Sequence, residues 1–118
     1  MLILEEIREL EGVIRESPDL KVKVVLDNRR GRKRELTIIL SDRIYYLEFM
    51  TDCMYKKKAF KFKKGKTVYY TDNVDEKLLA SMDGLVEVID SEIEKRGKLV
   101  KLDTSFPGIV IYEARIPA

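Results

Sequence analysis

The apolar positions of this chain change their period along the sequence, and each change marks an element. Over residues 2–16 they recur as Ile3, Ile7, Leu10 and Ile14, with Glu5, Glu6, Arg8 and Glu9 between them. That spacing predicts an amphipathic helix, which Ser17-Pro18 stops. In "LKVKVVLD" (20–27) the period falls to two, setting Val22, Val24 and Leu26 on one face of a strand. "NRRGRK" (28–33) reads as a turn around Gly31, and "ELTIILS" (35–41) returns as a strand that buries Leu36, Ile38 and Leu40. Together they form a hairpin with an arginine-rich tip. "IYYLEFM" (44–50) predicts a third strand, with Tyr45, Leu47 and Phe49 to one side and Ile44, Tyr46, Glu48 and Met50 to the other.

The next stretch, "CMYKKKAFKFKKGKTVYY" (53–70), carries seven lysines and five aromatics in eighteen positions. It predicts a second hairpin. A three-residue loop at Lys64-Gly65-Lys66 would oppose Phe62 to Val68 and Phe60 to Tyr70, leaving Lys61, Lys63, Thr67 and Tyr69 on the other face. A two-residue turn is the alternative. Residues 73–96 predict the longest helix, from a capping-box-like Asn73 and Glu76 to a stop at Gly97. Its stripe is Leu78, Met82, Leu85 and Ile89, widened by Leu79, Val86 and Ile93. Beyond it, "KLVKLD" is ambiguous and "GIVIYEARI" is a strand.

The expected fold is α+β in one domain spanning 1–118: an N-terminal helix, a largely antiparallel sheet of about five to six strands built from hairpins, a long second helix and a C-terminal strand. In such a sheet the face away from Val22, Leu36 and Leu47 would show Val25, Ile39, Ile44, Tyr46 and Met50. That is apolar enough to call for a cover, either a second helix or another subunit, and a homodimer is expected.

Composition narrows the classes. At 118 residues, 45% hydrophobic and 37% charged, the chain is long enough for one core and reads as a folded domain. No apolar run is long enough to span a bilayer, and acids follow directly on the first apolar positions, so no membrane contact and a cytoplasmic location are expected. Absence of Trp and Gln, with abundant Lys, Arg and Glu, resembles thermophile usage. The chain contains no histidine, so neither Ser-His nor Cys-His chemistry is possible, and Cys53 stands alone as a small, partly buried side chain.

Charge adds the functional clue. Residues 28–70 hold 13 Lys/Arg against 4 Asp/Glu, while the rest of the chain holds 10 against 17. A basic middle between acidic ends points to a polyanion, and no helix is basic along a face, which favours a single strand over a duplex groove. The expected partner is single-stranded DNA or RNA, bound with little sequence preference. Expected phosphate contacts are Arg29, Arg30, Arg32, Lys33, Arg34, Lys57, Lys58, Lys61, Lys63, Lys64 and Lys66, with Tyr46 and Tyr69 as stacking platforms.

Two competing readings stand beside it. Acidic helices of one copy could meet basic hairpins of another in an assembly module without nucleic acid. Alternatively, Asp42, Glu48 and Asp52 with Lys57 or Lys58 could hold Mg²⁺. The element order resembles that of the PD-(D/E)xK nuclease core, but Glu48 is followed by Phe49 and Met50 where that core carries Glu-x-Lys. "RRGRKR" also fits the loose pattern of a nuclear localisation signal, though it falls in a turn. No catalytic residue, metal site or cofactor is therefore expected.

Overall fold

The computed structural model describes residues 2–29, 31–52, 54 and 56–117, with backbone alone over 98–106 and at 112. Arg30 and Cys53 lie outside the described residues, so the expectations placed on them are not addressed below. The elements are α1 (Leu2–Glu16), β1 (Leu20–Asp27), β2 (Arg32–Ile39), β3 (Ile44–Thr51), β4 (Lys58–Lys64), β5 (Thr67–Thr71), α2 (Glu76–Arg96), β6 (Lys98–Phe106) and β7 (Ile109–Ile116). The α+β class and the antiparallel sheet hold. Seven strands replace the expected five to six because "KLVKLD" pairs with the last strand across a tight turn at Pro107-Gly108. Gly108, at φ +86°, takes a backbone conformation that side chains rarely adopt.

The strands run in the order β5-β4-β3-β2-β1-β7-β6, every pair antiparallel. The meander ends on β5 at one edge, whereas β6 lies at the other. Helix α2 must therefore cross the width of the sheet to connect them. It crosses on the face that α1 already occupies, so that Leu78, Leu85, Val88 and Ile89 bury with Ile3, Ile7, Leu10 and Ile14 against Val22, Ile38, Leu47, Phe60 and Phe62. The expectation that a second helix covers the opposite face is corrected here: two helices sharing one layer also bury each other. Among the described residues no helix lies on the far face of the sheet.

Local signals explain the limits of α2. Its N-cap is Asp75, whose Oδ1 accepts a hydrogen bond from the Leu78 backbone N–H at 2.9 Å, and not the expected Asn73. Asn73 instead donates its backbone N–H to Thr71 Oγ1, closing off β5. At the far end Gly97 donates to the Ile93 carbonyl, and a Cβ there would lie 2.9 Å from the Arg115 carbonyl oxygen. Within the helix, Gly84 faces α1, where a Cβ would meet only Glu11 Oε1, at 3.2 Å. That carboxylate ends a flexible side chain and can yield. Gly84→Ala should therefore stabilise the fold by about 0.5–1 kcal/mol, the helix penalty of glycine, read as a rise in the urea midpoint; a lower midpoint would mean the helix contact needs the missing methyl.

Candidate nucleic-acid interface

Register decides which charged and aromatic side chains share a surface. Across the uncovered face, β5 to β1 place Val68, Lys63, Tyr46, Thr37 and Lys23 in one row, and Tyr70, Lys61, Glu48, Glu35 and Val25 in the next. A third row sets Ala59, Met50, Lys33 and Asp27 side by side. Ile44 at 60% exposure, Val68 at 53% and Tyr70 at 62% lie open to solvent on this face. Cations, aromatics and aliphatic side chains are thus interleaved on a sheet backed by helices.

The second hairpin departs from its expected register by one residue. Phe62 pairs with Tyr69 and Phe60 with Thr71, through a two-residue turn at Gly65-Lys66. Gly65 at φ +59° permits this turn, and its geometry follows the twist of the strands. A slip of one residue moves every side chain to the opposite face. Tyr69 is therefore not on the open face: it packs edge-on against Phe62 and donates its hydroxyl to Glu6 Oε1 at 3.2 Å. Burial, followed by the negative charge of Glu6, raises its pKa above the usual phenol value. Its neighbours Val68 and Tyr70 take the open face instead. Lys64 turns to the helices too, with Nζ 3.3 Å from Glu6 and 3.8 Å from Glu9.

The arginine-rich hairpin does not join the lysine hairpin on one surface. Successive turns of a meander alternate ends, so the β1–β2 tip and the β4–β5 tip lie at opposite ends of the sheet. At the first end the tip is accompanied by Lys57 of the β3–β4 connection and by Lys58 at the start of β4, with Arg32, Thr51 and Lys58 side by side. The parity of β2 and β4 turns Arg32, Arg34 and Lys58 to the helix side. Arg34 lines a cleft of about 220 Å³ between α2 and the sheet, together with Val24, Leu36, Met82 and Val86. Arg29 is held by its own hairpin, donating from Nε and Nη2 to Asp27 Oδ1 and Oδ2 at 3.1 and 3.0 Å. These bonds hold the Asp27 carboxyl down to about 2, from 3.8. With the folded value below the unfolded one, the pair's contribution is complete above pH 3.8 and disappears as pH falls from there through about 2. A carboxyl titration of Asp27 by NMR should show that midpoint, and a value near 3.8 would mean the Arg29 clamp is absent in solution.

A cluster that sequence reasoning missed sits at the centre of the open face. Glu35 and Glu48 stand directly opposite one another on β2 and β3. Tyr46 Oη lies 2.8 Å from Glu35 Oε1 and 2.5 Å from Glu48 Oε2, and Lys33 Nζ lies 3.2 Å from Glu35 and 4.0 Å from Glu48. One phenolic proton and one ammonium thus serve two carboxylates that would otherwise repel across the strands. Burial, reinforced by these acceptors, raises the Tyr46 pKa far above the phenol range. Lys33 is spent here and its pKa is raised by the bond to Glu35. The like-charged pair was legible once the Ser41-Asp42 turn fixed the β2–β3 register.

Among the described cations, Lys61 and Lys63 face the open side without an ion pair, Lys63 Nζ lying 5.5 Å from the Tyr46 ring centroid. Lys63, Lys66 at the turn and Lys57 at the opposite end are exposed, whereas Lys61 is half-buried. The three acids considered for a metal do not converge, since Asp42 and Asp52 stand at opposite ends of β3 and Glu48 is bonded to Tyr46. Among the described residues no helix is long and apolar enough to cross a membrane. No protein-family model, curated protein or solved structure matches the chain.

Proposed function

We propose that this protein binds single-stranded DNA or RNA, with little sequence preference, on the open sheet face of β3, β4 and β5, and that it does so as a homodimer without catalysing a reaction. The observation that carries the reading is the sorting of charge by layer. The sheet segment 20–71 holds 15 Lys/Arg against 5 Asp/Glu, while the two helices hold 5 against 11. A polyanion is therefore drawn to the sheet and repelled from the helices.

On that face Lys61 and Lys63 neutralise phosphates along β4, Lys57 extends the track at the other end, and Tyr70 offers a stacking surface beside Lys61. This replaces Tyr69 by Tyr70 as the platform. Tyr46, its hydroxyl engaged and its ring half-buried, contributes an edge of the floor. The Glu35/Glu48 pair bounds the track toward β2, which confines a strand to the β3–β5 side of the sheet. Unstacked bases on a sheet with cations alongside is how sequence-tolerant single-strand binders work.

Tyr70→Ala should lower single-strand affinity about tenfold, the order of one lost base stack, while Tyr69→Phe should leave it unchanged. Fluorescence anisotropy decides it. Equal responses at the two tyrosines would contradict the stacking role. A second reading, assembly without nucleic acid, is favoured by one observation: the aliphatic exposure of Ile44 and Val68 on the same face.

A further inference from the structure

The edge strand β5 is self-complementary, and we infer that two copies join through it, β5 to β5 antiparallel, to make one continuous sheet whose seam is the floor of the binding track. The premise is local. Thr67–Thr71 lies at the sheet edge, paired among the described residues only to β4, and contains no charge, proline or bulge in the sequence Thr-Val-Tyr-Tyr-Thr. Natural edges are ordinarily blunted by such devices, because a bare row of N–H and C=O groups recruits another strand.

The register follows from hydrogen-bond alternation. In a two-residue hairpin the flanking pair, here Lys64 and Thr67, exchanges hydrogen bonds, so Thr67, Tyr69 and Thr71 address β4 while the backbone groups of Val68 and Tyr70 point outward. An isologous pair that uses both outward residues has its two-fold axis at Tyr69. It then opposes Val68 to Tyr70 of the second copy and Thr67 to Thr71, each twice. Aromatic–β-branched and Thr–Thr pairs are among the favourable cross-strand combinations. One step beyond, Lys66 of each copy meets Asp72 of the other, a charge match at both ends of the seam. Other registers lose either that match or half of the outward bonds.

A two-fold axis through the sheet keeps the open faces on one side. The lysine rows of the two β4 strands would then run on either side of a floor made by Val68 and Tyr70 of both copies, about 14 Å apart at three strand spacings. The site is incomplete in one chain: half of the floor and one lysine row come from the partner. This deepens the single-strand reading and rests on it for the ligand, whereas the dimer itself stands on the edge alone.

Sedimentation velocity without nucleic acid tests the seam. The wild-type chain should sediment as two 13.8 kDa units at micromolar concentration. Val68→Lys/Tyr70→Lys places ammonium groups opposite one another twice and should give the monomer, folded by circular dichroism. Should that variant fail to fold, Lys66→Asp provides the independent check: it should weaken the dimer roughly tenfold, and Lys66→Asp/Asp72→Lys should restore it. A wild-type monomer, or a dimer indifferent to the charge variants, overturns the proposal. A charge-sensitive dimer that binds no strand supports the seam and refutes the single-strand reading; a monomer that binds one does the reverse.

Discussion

Replacing Lys61 and Lys63 together by glutamate should weaken single-strand binding by roughly a hundredfold near physiological salt and flatten the salt dependence by about 1.4, two phosphates at 0.7 each. Both side chains stand on the open face, and among the described residues neither has a carboxylate within ion-pair distance, so each is available to a phosphate. Reversal does more than remove two contacts. It places two acids beside Glu48 and Tyr46, extending the Glu35/Glu48 pair into the track itself. Folding should lose no more than about 1 kcal/mol, from the carboxylate set opposite Glu48, because the core residues beside these lysines on β4, Phe60 and Phe62, point the other way and are unaltered.

Lys64→Glu is the internal control. Only one residue further along the same strand, Lys64 is bonded to Glu6 and Glu9 of α1, and these bonds raise its pKa. Its reversal should lower stability and leave affinity within about twofold, since a residue that contacts no phosphate carries no counterion term. Equal losses at Lys64 and at the Lys61/Lys63 pair would mean that binding follows net charge and not this face.

Phe62→Ala should cost about 3–5 kcal/mol, the range for truncating a fully buried phenylalanine. Its side chain is 0% exposed, lies between Leu47 and Tyr69 across the strands, and meets the Tyr45 and Tyr69 rings edge-on at 6.2 and 6.1 Å. The helices already fill the space above it, so little collapse into the void is available. For a domain of this size the loss corresponds to a fall in Tm of roughly 10–20 °C, readable by circular dichroism. A fall of only a few degrees would contradict the burial of Phe62 and its pairing with Tyr69 in the β4–β5 register.

That register is where the sequence misleads. Residues 2–16 and 20–27 have one apolar face each, and the helix and the strand form within those bounds. Thr67–Thr71 is different: Val68 and Tyr70 alternate with Tyr69, so an apolar or aromatic residue falls on either side and patterning does not choose. A clean separation of apolar from basic was the wrong criterion, because the open face tolerates Val68 and Tyr70 among lysines. The turn decides instead, through the two-residue geometry that Gly65 permits. The N-cap of α2 has a similar cause: Asn73 and Asp75 are both good caps, and only the bond to Leu78 separates them.

The opposite placement of the two basic tips needed only strand counting, three strands intervening between alternating turns. What no spacing contained was the route of α2. Its apolar stripe prescribed a buried helix but not the face, and the two helices sharing one layer is what leaves Lys61, Lys63, Tyr46 and Tyr70 uncovered. The basic middle of the chain was legible as a site region. Its sorting into spent cations (Arg29, Lys33, Lys64) and available ones required coordinates.

The most direct measurement is anisotropy of labelled single-stranded DNA, single-stranded RNA and duplex titrated with the wild-type chain across salt. Lys57, Lys61 and Lys63 predict a plot of log K against log[salt] with a slope of about −2 per engaged track, from 0.7 per phosphate on a single strand, and weaker binding to the duplex than to either single strand. No binding to any probe at low salt, or a preference for the duplex, would contradict the assignment of the open sheet face to single-stranded nucleic acid.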